Sequence, residues 1–125
     1  RIEDPKIINF LKKRKIKIQA RSIFLQGILL KTKNKNKLPK FFDKWKKVFL
    51  NFEKICELNK LSPLSICLNY VNNNKNIDEI LVGVQNEQEL KQIFNLELKR
   101  KLLINKKLLV FQSLNLVDPR RWKNG

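Results

Sequence analysis

The chain has 125 residues, enough for one domain with a real core, and 42% of them are hydrophobic, which excludes a disordered polycation. The 28 Lys+Arg against 11 Asp+Glu give a formal charge of +17, which admits a phosphate-bearing partner, but the lysines are spread along the whole length. Without histidine, His-based acid–base chemistry and most transition-metal sites are excluded, and Cys56 and Cys67 fit no zinc spacing and read as buried thiols of a reducing compartment.

DPKIINFLKKR reads as a short helix, with Asp4 as cap, Pro5 at the first helical position, and Ile7, Ile8, Phe10 and Leu11 on one face. KIKIQA alternates, placing Ile16, Ile18 and Ala20 on one side of a half-buried strand. Gly27 interrupts the apolar run RSIFLQGILL, and the polar loop KTKNKNKLPK follows. Beyond Pro39, the residues Phe41, Trp45, Val48, Phe49, Phe52, Ile55 and Cys56 recur at three and four, which predicts a helix ending near Asn59. Ser62-Pro63 opens a second helix with the stripe Leu64, Cys67, Leu68 and Val71, and the asparagine run Asn72-Asn73-Asn74 stops it. A strand over Glu79–Val82 comes next. Asn86 with Glu89 then forms a capping box, and Leu90, Ile93 and Phe94 are expected to bury the helix behind it. The leucine-rich basic tail closes on LNLVDPRRW, where Trp122 should pack back on the body. No apolar run approaches the ~18 residues that span a bilayer, and no signal peptide is visible, so a cytoplasmic location is expected.

Strands separated by long helical connections read as parallel neighbours in an α/β sheet. Two strands alone make no stable sheet, and the sequence starts at Arg1 without any methionine. The missing methionine is expected from processing of the start or from this being the back part of a longer protein, and the strands and periodic helices call for partners outside this sequence. Two places invite an anion. At Gly83, between the second strand and a helix N-terminus, the glycine either relieves backbone strain in a plain βα loop or leaves room for a phosphate group. At ARSIFLQG, a strand ends with Ser22 and Gly27 beyond it, and the serine can donate to a phosphate or cap a loop. No G-x-G-x-x-G is present to support a doubly wound dinucleotide fold.

Taken together, these stretches resemble the aldo/keto reductases. Arg21-Ser22-Ile23-Phe24-Leu25-Gln26-Gly27 matches the R-S-x-F-L-Q-G with which the seventh strand ends in one bacterial branch. Ser62-Pro63, Leu68, Val71, Ile77-Asp78 and Val82-Gly83 fall in step with later family patterns. Asn86-Glu87-Gln88-Glu89-Leu90 and the closing Leu116-Val117-Asp118-Pro119-Arg120-Arg121-Trp122 continue the register. The likeness runs from about Lys15 onward.

The resemblance implies the C-terminal portion of a TIM (β/α)8 barrel, which normally needs ~250 residues. Residues 1–125 would be a single partial domain, made of the last two βα units and the tail. It further implies NAD or NADP bound in extended form and reduction of a small-molecule carbonyl substrate. By position, Ser22, Phe24 and Gly27 would lie along the pyrophosphate loop, Gly83 and Val84 would border the adenosine phosphate, and Glu89 and Gln92 would flank the adenine ribose. Glu89 stands where the family often has Arg or Gln to meet a 2′-phosphate, and Ile93 where many members have an adenine-binding asparagine. The catalytic Asp, Tyr, Lys and His belong to earlier strands; Tyr70 does not match the catalytic position, so the chain alone is expected to be inactive. The loop Lys31–Lys40 and the tail would border the substrate pocket. Rival readings are a small basic nucleic-acid-binding module and a truncated, inactive family member; the oligomeric state is open.

Overall fold

In the computed structural model, residues 4–32, 38–98, 100–104 and 113–122 are described; the middle of the loop after Lys31 and most of the basic tail lie outside them. Helix α1 (Pro5–Lys13) begins as its cap chemistry requires, with the Asp4 carboxylate accepting from the Lys6 amide at 2.9 Å. It ends on Lys15 in the left-handed region (φ 54°), whose amide donates to Lys12, while Ile16 reaches back to Leu11. Only Ile8 of its apolar face is buried.

Strand β1 (Gln19–Ala20) pairs in parallel with β2 (Glu79–Ile80), in the register Gln19↔Glu79 and Ala20↔Ile80. Both are shorter than expected from the alternation of KIKIQA and from the stretch Glu79–Val82, and Ile16 is 47% exposed where a buried strand residue is expected. The reason is that a ladder extends only as far as a neighbour pairs with it, and each strand has one neighbour among the described residues. At the start of the pair, the Asp78 carboxylate accepts from the Ile18 amide at 2.7 Å, and Lys17 meets Glu79 at 3.0 Å across the ladder.

Between the strands lies the helical layer. A 3-10 turn (Lys40–Trp45) leads into α2 (Lys46–Asn59), which stops on left-handed Lys60 with Leu61 N–H donating to Cys56. The tight first turns gather Phe41, Phe42 and Trp45 into mutual ring contact. Helix α3 (Pro63–Asn72) starts with Ser62 Oγ accepting from the Ser65 amide. One core cluster joins Ile28, Phe42, Trp45, Phe49 and Leu116; a second joins Phe52, Ile55, Cys56, Ile66 and Cys67. Burial pushes the Cys67 thiol up to about 12, so it is a packing group and no nucleophile.

Helix α4 (Glu87–Phe94) follows β2 and contains no buried residue. Leu90 and Phe94, expected to bury it, are exposed, Phe94 to 77%. Ile93, the third residue expected to do so, is half-buried, so the apolar side that periodicity marks is only partly covered among the described residues. At the C-terminus, the one-turn helix α5 (Leu114–Val117) brings back Trp122, whose ring meets Phe42 edge-on at 4.9 Å and whose Nε1 donates to Leu116 O at 3.0 Å.

Candidate cofactor site at the strand ends

Because β1 and β2 are parallel neighbours, their C-terminal ends open on the same edge of the sheet. The Leu81 amide donates to Ala20 O at 2.8 Å and holds the two exits together just past the ladder. Ser22 lies two residues beyond Ala20, and Gly83 three beyond Ile80.

The first exit is a tight loop with unusual backbone. Ser22, Leu25, Gln26 and Gly27 have φ of 57°, 50°, 53° and 79°, all in the left-handed region. That region costs a non-glycine L-residue roughly 1–2 kcal/mol, so packing and hydrogen bonds must hold the loop in place. Leu25 N–H donates to Ser22 O at 3.0 Å, Ile28 N–H to Leu25 O at 3.1 Å and Leu29 N–H to Phe24 O at 3.3 Å. Leu25 and Leu29 pack on the first core cluster and Phe24 on the second. The Phe24 side chain therefore faces the body, and its backbone is what it offers at the loop. Ser22 and Gln26 stay exposed.

The second exit passes Gly83, which is exposed and has no positive φ. A Cβ built there meets nothing within 4 Å. Relief of backbone strain, one of the two readings of this glycine, is thus ruled out, and open room beside the sheet edge remains. At Gly27, in contrast, the φ of 79° favours glycine although a Cβ would meet nothing within 4 Å.

At the start of α4, Asn86 Oδ1 accepts from the Glu89 amide at 2.9 Å, as the capping box predicts. The reciprocal bond is shifted by one residue: Glu89 Oε2 accepts from Gln85 N–H at 2.8 Å. Glu87 also sits in the first turn, paired with Lys91. The positive end of this helix is already supplied with carboxylates, so a further anion there meets like charge. Glu89 and Gln92, three apart, share a face of the helix, with Glu89 half-buried, and Gln92 and Val84 exposed.

Tyr70 is half-buried on α3 and lines a cleft of about 760 Å³ with Pro5, Ile8, Asn9 and Asn76, at the end of β2 remote from Gly83. The aromatics Trp45, Phe42, Phe49 and Phe52 are core residues and form no exposed stacking platform. Among the described residues no group of His, Cys, Asp and Glu could hold a metal ion, and no helix is long and apolar enough to cross a membrane. The left-handed residues of the loop and the carboxylate clasp on Gln85 escaped sequence reasoning. The Leu-Gln-Gly triplet ahead of Ile28 is the local signal of the loop, through its glycine, and the Asn86/Glu89 capping box is that of the clasp.

The model of the aldo/keto reductase family matches residues 1–104. No curated protein and no solved structure matches the chain.

Proposed function

Since the chain belongs to the aldo/keto reductase family, we propose that it supplies the dinucleotide-binding edge of an NAD(P)-dependent carbonyl reductase, as the last two βα units and tail of the barrel. One observation carries this reading: a left-handed, core-anchored loop at Ser22–Gly27 opens beside an unobstructed Gly83 at the same edge of a parallel strand pair. Room without a local structural cause is what a bulky phosphate group needs.

In this reading Ser22 Oγ and the loop backbone receive the pyrophosphate, while Gly83 and Val84 let the adenosine phosphate lie against the main chain. Glu89 and Gln92 stand at the ribose end. A carboxylate there suits the paired hydroxyls of an unphosphorylated ribose and repels a 2′-phosphate, which favours NAD over NADP. When bound, the dinucleotide supplies the hydride that reduces a carbonyl. The proton donor and its partners come from earlier strands of the barrel, so this chain binds and orients but does not complete the reaction. A cytoplasmic setting accords with its buried thiols.

The test is NADH and NADPH oxidation with an aldehyde, using residues 1–125 and the complete reading frame in parallel. Turnover by the complete frame, greater with NADH, and none by residues 1–125 is the expected result. Turnover by residues 1–125 alone overturns the division of roles; equal use of NADPH overturns the role given to Glu89.

A further inference from the structure

We propose that four asparagines, Asn59 on α2, Asn69 and Asn72 on α3 and Asn73 at its C-cap, form a clamp on the chain leaving α4, and that this clamp fixes where α4 stands. Its value to cofactor binding rests on the reading above, because α4 carries Glu89 and Gln92.

Helix α4 has no fully buried residue, and only Glu89 and Ile93 are half-buried, so packing along its length holds it weakly. Its position is set at its two ends. The N-terminal end leaves β2, which is paired to β1. The C-terminal end turns through Asn95 and Leu96, whose amides donate to Lys91 O at 3.0 Å and Ile93 O at 3.2 Å, and the strap is formed by the described residues 97–98 and 100–103 that come after it. Side-chain amides take hold of that strap. Asn69, 0% exposed, donates through Nδ2 to Glu97 O at 3.0 Å and to its own helix at Ser65 O, and accepts through Oδ1 from the Arg100 amide at 3.1 Å. Asn72 donates to Leu98 O, and Asn73 donates to Arg100 O at 2.8 Å. Farther along, Asn59 donates to Leu103 O at 3.1 Å and accepts from the Leu103 amide at 2.7 Å.

Three physical points make this a positioning device. Asn69, Asn72 and Asn73 are spaced i, i+3, i+4, so α3 presents them together on one face. Every bond they make to the strap goes to main chain, so the grip sets the path of the backbone whatever its side chains are. The buried Asn69 keeps one donor on its own helix at Ser65 O, but its acceptor and its bond to Glu97 O are filled only if the strap is in register, and a buried amide oxygen left unpaired is costly. The first gripped residue, Glu97, lies three beyond Phe94, the last of α4. A loosened clamp therefore frees α4 at one end. The asparagines are positioning residues, acting through α4.

The double variant Asn72→Ala/Asn73→Ala removes two exposed grips and leaves the buried Asn69 in place. In the complete natural chain, hydrogen exchange of the amides of residues 87–96 should accelerate roughly tenfold or more, with exchange in α2 unchanged. The Kd for NADH, read by its fluorescence, should rise about fivefold, as loss of a hydrogen bond or two allows. Asn59→Ala, at the far end of the strap, should give the same changes on a smaller scale. Unchanged exchange over 87–96, or equal acceleration in α2, overturns the clamp. Faster exchange with unaltered NADH affinity overturns its service to the site. If the unsubstituted protein binds no NADH while exchange responds as stated, the clamp stands and the reductase reading falls.

Discussion

The α2–α3 layer and the strand–α4 side of the molecule meet solvent in opposite ways. In the first, Phe42, Trp45, Phe52, Ile55 and Ile66 are nearly sealed, and even the polar Asn69 is fully enclosed with its partners supplied. In the second, the strands are two residues long, and Leu81, Leu90 and Phe94 show large apolar surface. The candidate binding residues Gly83, Val84, Glu89 and Gln92 all lie on the thin side, whereas the Ser22–Gly27 loop straddles the two, exposed at Ser22 and rooted in both core clusters. Burial is concentrated in one layer and most of the candidate binding residues lie on the other, an arrangement expected where a site must remain accessible.

Substitution on either side puts this contrast under strain. Phe52→Ala should cost about 3–5 kcal/mol in denaturant unfolding, while Phe94→Ala should stay within about 0.5 kcal/mol and reduce aggregation. Comparable costs at the two positions would break the division. The glycines sharpen it further. Gly27→Ala places a Cβ on a φ of 79° and should cost about 1 kcal/mol. Gly83→Ala meets neither strain nor a neighbour and should leave stability level or raise it by about 0.4–1 kcal/mol, while weakening NADH binding. The smallest effect concerns the C-terminal turn. The Arg120 side chain beside Asp118 holds its carboxyl down to about 2 from an ordinary 3.8. A lowered folded-state value stabilises above the ordinary value and is lost as pH falls towards about 2. Trp122 should therefore loosen from Phe42 between about pH 4 and 2, measured by near-ultraviolet circular dichroism. Asp118→Asn should flatten that response, within the modest range of an exposed ion pair.

What the sequence made legible is local in origin. Asp4, Ser62 and Asn86 all cap the helices they precede, since a cap bond spans two or three residues. The α2 stripe lies inward, and Trp122 returns to the body. The lengths of the strands were not legible, because pairing partners and not propensity set them. Nor could the periodicity of α4 say whether anything lies against its apolar side. Asn72-Asn73-Asn74 reads as a helix stop, and α3 does end there, yet the partners of Asn72 and Asn73 lie 26 and 27 residues away. The left-handed Leu25 likewise packs on a core cluster whose members are distant in sequence. Of the candidate site, the two glycines were visible and the reason for each was not.

Phe24 has a consequence for kinetics. Its ring is embedded among side chains of the helical layer while its carbonyl braces the turn that follows. The turn acquires its shape when the layer condenses, well before any ligand arrives. In the proposed role, a ligand meets this turn already formed, and differences between ligands at the turn should appear mainly in how slowly they leave.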